Sequence, residues 1–154
     1  MKPDHLLWFF GLCAVWVLID GWRRRALGLG IFYGAASILL APITIPIYLT
    51  RRPLKAGEVR EGGVVWNILK NFVVVWTLLI LVAALAGLFA SGQALQKPMS
   101  QAEQAGAGLG IIVGLGLWAA AWFFPVLGAL VFGLLLKKNS VVERGPTGPL
   151  APRP

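Results

Sequence analysis

Charge is scarce in this chain, and acid is scarcer than base. Only 13% of the 154 residues are charged, with 14 Lys and Arg against 6 Asp and Glu. A soluble domain carries about 25%. There is one cysteine, Cys13, and one histidine, His5. Each shortage excludes something. A single thiol builds neither a disulfide framework nor a zinc site within one chain. A single imidazole rules out a bis-histidine haem, and a metal would have to recruit His5 or Cys13 with no second ligand nearby. No nucleophile stands beside a base, and no glycine loop lies between a strand and a helix to cradle phosphate. Asp4, Asp20, Glu58 and Glu61 all have bases within a few residues, the pattern of solvated ion pairs. No catalytic residue, cofactor or metal is therefore assigned, and the chain reads as non-enzymatic.

What is abundant is apolar surface. Hydrophobic residues make up 58%, more than a chain this short can hide while covering its surface with polar groups. The surplus must face lipid. The expectation is an all-α integral membrane protein with a single helical domain over residues 1–136 and a basic, then Pro/Gly-rich, flexible tail over 137–154. Four apolar runs, 6–19, 26–48, 72–90 and 105–136, supply four membrane-embedded helical segments arranged as two hairpins. A lipoprotein signal does not fit, because Leu12 precedes Cys13. A cleaved leader does not fit either, because Asp20 and Arg23 arrive without a small-residue cleavage site.

The first run is short for a span, and Trp8, Trp22 and flanking arginines extend it. Asp20 then precedes Arg23 and Arg24 at helical ion-pair spacing. The second run contains Pro42 and Pro46. Each removes a helical hydrogen bond, so this segment is proline-broken and either crosses with a kink or bends back as a re-entrant element. The fourth run is about 48 Å long as a helix, well over a ~30 Å hydrocarbon core. It is expected in two pieces, a crossing part below Trp118 and a glycine-packed cap above it; strong tilt or a break at Pro125 is the alternative.

The net charge of +8 sits at the ends of apolar runs and comes with no nucleic-acid motif. Anionic headgroups attract such bases. Arg23, Arg24, Arg25, Arg51, Arg52, Lys55, Arg60, Lys137 and Lys138 are candidate contacts for anionic lipid or a partner. Loop charge also sets orientation. The loop over 50–63 and the tail are basic, while residues 91–104 carry only Lys97 and Glu103. A cytoplasmic C-terminus follows, with loop 91–104 on the opposite side of a bacterial inner membrane. The first half stays open. Four simple spans leave Arg23, Arg24, Arg25 and Lys97 outside, whereas a re-entrant second run leaves Lys2 and Lys97.

Small residues recur every four positions at Gly30 and Gly34, at Ala83, Gly87 and Ser91, and at Gly106, Gly110 and Gly114. In lipid such stripes let helices approach closely, within the chain or between copies. The functional expectation is an accessory or scaffolding subunit that packs against other membrane subunits or itself. The alternative is a small oligomeric channel or permease using the broken second helix.

Overall fold

The computed structural model describes the backbone of residues 3–95 and 100–146, and side chains over 8–93 and 100–146. The side chains of Asp4 and His5 and the tail over 147–154 lie outside the described residues. Four helices follow one another: α1 (Pro3–Arg23), α2 (Leu27–Arg51), α3 (Gly63–Leu95) and α4 (Gln101–Leu135). Two short strands, β1 (Val59–Gly62) and β2 (Lys138–Arg144), pair antiparallel. Helices α2, α3 and α4 are long and apolar enough to cross a membrane.

Helix α1 ends in a tight reversal. Arg25 takes a left-handed φ of 56°. The Ala26 N–H bonds to the Gly21 carbonyl at 2.9 Å and the Arg25 N–H to that of Trp22 at 3.0 Å. This is the Schellman pattern that satisfies the last carbonyls of a helix. Helix α2 then runs back along α1. The two come so close that a Cβ on Gly21 would sit 2.7 Å from the Gly30 Cα, and Gly34 lies against Ala14 and Leu18.

At Leu40 (φ −134°, ψ 39°) the helical path of α2 is lost. Pro42 has no N–H for the Ile38 carbonyl and crowds it, and the break falls between them. The chain reverses there: the Tyr33 and Tyr48 rings lie 5.8 Å apart, whereas a straight helix would separate them by about 22 Å. The limbs over 27–39 and 41–51 are about 20 and 16 Å long. With α1 they close a small core of Val17, Ala41, Ile45 and Tyr48, against which Val75 of α3 also packs.

Helix α3 lies along α4 over most of its length. Pro125 does not break α4, contrary to the break the sequence suggested there. It frees the Ala121 carbonyl, and Trp76 Nε1 donates to that oxygen at 3.0 Å. One residue on, Trp122 Nε1 donates to Thr77 Oγ1 at 2.9 Å. A satisfied carbonyl lets the helix continue. The segment 91–104, read from sequence as a loop, is mostly helical: α3 runs to Leu95, and α4 starts at Gln101 behind a capping box in which Ser100 and Glu103 exchange bonds.

The β ribbon is the other departure, since the expectation was wholly helical with a flexible tail from residue 137. The front of that tail is β2. Its partner β1 runs from Val59, opposite Arg144, to Gly62, opposite Lys138. Gly62 and Gly63, with φ of 88° and 82°, make the turn from the ribbon into α3. Gly62 lies against the Trp66 ring, where a Cβ would collide.

Candidate functional site

The reversal of α2 brings the two ends of that element together, and charged side chains meet there. Asp20, on the last turn of α1, stands four residues before Arg24, which donates from Nε to the carboxylate at 3.1 Å. Arg24 then reaches across the chain. Nη1 and Nη2 form a fork on Glu58 at 2.8 and 3.0 Å, and Nη1 also donates to the Pro53 carbonyl at 2.8 Å. The guanidinium side chain is only 5% exposed. Planar bidentate pairing of this kind is the strong form of an ion pair.

Asp20 takes two further donors, Tyr48 Oη at 2.9 Å and Arg52 Nη1 at 3.1 Å. One carboxylate thus joins α1, the corner after it and the returning limb of α2. Arg60, on β1, donates from Nη2 to the carbonyls of Leu49 and Arg52, both at 3.1 Å, and from Nη1 to Glu143 of β2 at 3.2 Å. A cation at the C-terminal carbonyls of a helix complements its dipole. Asp20, Glu58 and Glu143 together balance Arg24, Arg52 and Arg60.

The electrostatics follow from these partners. The Arg24 fork, helped by the Lys55 N–H, holds the Glu58 carboxyl down at about 2, so it stays ionised. Glu58 in turn pushes the Arg24 guanidinium up. The arrangement is a clamp. Its carboxylates are occupied by guanidinium groups rather than poised to accept a proton. Arg52 Nε is buried with no hydrogen-bond partner among the described residues.

The candidate basic residues divide. Arg24, Arg52 and Arg60 turn inward onto protein acids. Arg23, Arg25, Arg51, Lys55, Lys137 and Lys138 are exposed and have no ion-pair partner among the described residues. The small-residue positions divide as well. Gly30 and Gly34 face α1 in close contact. Gly87, Ser91, Gly110 and Gly114 line a space of about 270 Å³ between α3 and α4. A Cβ on Gly87, Gly106, Gly110 or Gly114 would meet nothing within 4 Å. Ala83 is half-buried on α3.

Family models, curated proteins and solved structures all give no match to this chain. The site therefore rests on its geometry alone. Among the described residues no group of three or more His, Cys, Asp or Glu could hold a metal ion. Sequence reasoning found the Asp20–Arg24 spacing but treated Asp20 and Glu58 as solvated. It passed over Tyr48 and Glu143, for which no local pattern existed.

Proposed function

We propose that the protein is a non-catalytic multi-pass membrane protein acting as an accessory or scaffolding subunit of a larger membrane assembly. In this layout α1, α3 and α4 cross the bilayer and α2 is re-entrant. One observation carries it: the Arg24–Glu58 fork ties the corner over 23–25 to the loop over 50–63. The β1–β2 ribbon adds the start of the tail to that end. Three basic segments at one end fit a cytoplasmic face, since short basic loops stay inside. Only Lys2 and Lys97 among the 14 Lys and Arg then lie on the far side. A re-entrant α2 also suits its limbs, each too short for a ~30 Å core.

The accessory role rests on the tip of α2. Leu39 and Leu40 are 80% and 57% exposed at the point where the helix is broken. Irregular backbone at membrane depth is tolerated where protein covers it or where it lines water. An apolar tip favours cover by protein.

Labelling tests the topology in a Cys13→Ala background. Cysteines at 25 and 55 should react only from the cytoplasmic side, and one at 92 only from the opposite side. Labelling of 25 and 92 from the same outer side would restore four simple spans. Mild-detergent purification with mass measurement tests the role. A foreign subunit in stoichiometric amount supports the accessory reading, and a pure homo-oligomer that conducts ions in a bilayer replaces it with the channel.

A further inference from the structure

An apolar groove of about 380 Å³ lies where the returning limb of α2 meets α3 and α4. Ile43 and Ile47 form one wall, Ile68 and Phe72 another, and Pro125 and Phe132 the third. It opens sideways: Ile43 is 55% and Phe132 62% exposed. Two cations stand at its basic end. Arg51 follows Ile47 and Ile43 at four-residue steps, so it continues the same face of α2. It is exposed and has no ion-pair partner among the described residues. Lys137 lies with Nζ 5.5 Å from the centre of the Trp66 ring, one turn before Leu69, which also lines the groove. Arg24, Arg52 and Arg60 of this end are neutralised by Asp20, Glu58 and Glu143. Arg23 and Arg25 are exposed and, like Arg51, have no ion-pair partner among the described residues; it is the continuation of the Ile43–Ile47 face that sets Arg51 apart.

We infer that this groove holds an acyl chain of one anionic phospholipid, whose phosphate is met by Arg51 and Lys137. This rests on the membrane layout proposed above. Apolar walls take the chain, and two unpaired cations at the surface end complement the headgroup. Exposed cations beside a bilayer gain from anionic lipid, and an apolar slot below them fixes one molecule in place. A zwitterionic lipid such as phosphatidylcholine would fill the slot and bring a phosphate too, but its own ammonium offsets that charge beside the two cations, so it is held less well.

The test uses the full chain, first in native membranes and then delipidated in mild detergent. Alkaline carbonate should leave it in the membrane fraction. Release by carbonate overturns the membrane layout itself. Native mass spectrometry then follows addition of phosphatidylglycerol or phosphatidylcholine with the same acyl chains. The expected result is one phosphatidylglycerol per chain, retained at least ten-fold better than phosphatidylcholine. Arg51→Gln and Lys137→Gln should each lower that preference about five-fold. Ala129→Phe fills the groove from its floor and Ile43→Trp from its rim. Either variant that keeps the wild-type melting temperature should lose the bound lipid. Equal retention of the two lipids, or a bound lipid that survives a well-folded groove-filling variant, overturns the assignment while the membrane layout stands. So does a protein subunit that occupies the groove in place of lipid.

Discussion

Arg24 is the residue on which the corner turns, because three acceptors on three parts of the chain depend on its guanidinium. Removing one member of a buried ion pair leaves its partners charged and unmatched. Arg24→Gln should therefore cost about 3 kcal/mol, read as a loss of melting temperature in detergent. Arg24→Lys should recover only part, since a single ammonium cannot fork on Glu58 and still reach Asp20. Glu58→Gln should cost less, because its side chain is 35% exposed, and the double variant should fall short of the sum. The same pair sets an acid limit. The Glu58 carboxyl, ordinarily near 4.5, is held at about 2. A depressed carboxylate stabilises the fold above its ordinary value and loses that contribution as pH drops toward the folded one. Melting temperature should be insensitive to Glu58 from pH 7 to 5 and decline between about 4.5 and 2. Glu58→Gln should remove that part of the decline.

At the scale of elements, one helix end, one helix interior and one close helix contact invite tests. Arg25 occupies the left-handed position that closes α1, a conformation glycine adopts freely and other residues at a cost of about 1 kcal/mol. Arg25→Gly should raise stability by up to about that amount, measured by thermal or chemical unfolding. In α4, Trp76→Phe should cost about 1 kcal/mol by orphaning the Ala121 carbonyl. In a Pro125→Ala background, where the helix can bond that carbonyl itself, the cost should shrink. Gly21→Val should be far more damaging than Gly110→Ala, because the first meets the α2 backbone and the second meets open space. Much of this level was legible in the sequence. The Asp20–Arg24 spacing marked an ion pair, and Pro42 and Pro46 marked a helix that could bend back. The capping box at Ser100 was also visible and went unread, which made the loop too long. Other features had no local signal. Arg24 and Glu58 are 34 residues apart and meet only after α2 reverses, so solvated acids were the natural reading of each in isolation. The strands are short and mostly polar, VREG and KNSVVER, without the alternation that announces a half-buried strand.

For the whole molecule, the proposed layout follows from connecting these pieces. Sequence charge alone left Arg23 to Arg25 on either side. The Arg24 fork and the ribbon put them with the loop over 50–63 and the start of the tail. Two descriptions of α2 then diverge. By length and composition it is a candidate span, yet its reversal at Leu40 spends that length on two short limbs. In the proposed layout α1 takes over the crossing, and its 21 residues reach about 32 Å.

The β ribbon has a consequence for how the protein is made. Its strands are parted by all of α3 and α4, with Arg60 and Glu143 83 residues apart. During synthesis the Asp20–Arg24–Glu58 clamp can close once β1 has emerged, while β1 itself waits for the last described segment of the chain. Pairing of Lys138–Arg144 thus comes only after all four helices have been made. A chain stopped at residue 137 would keep its helices but present an unpaired strand and an unneutralised Arg60 to the quality-control machinery of its host. Its expected behaviour is faster turnover in pulse–chase, with the lifetime restored when residues 138–146 are returned.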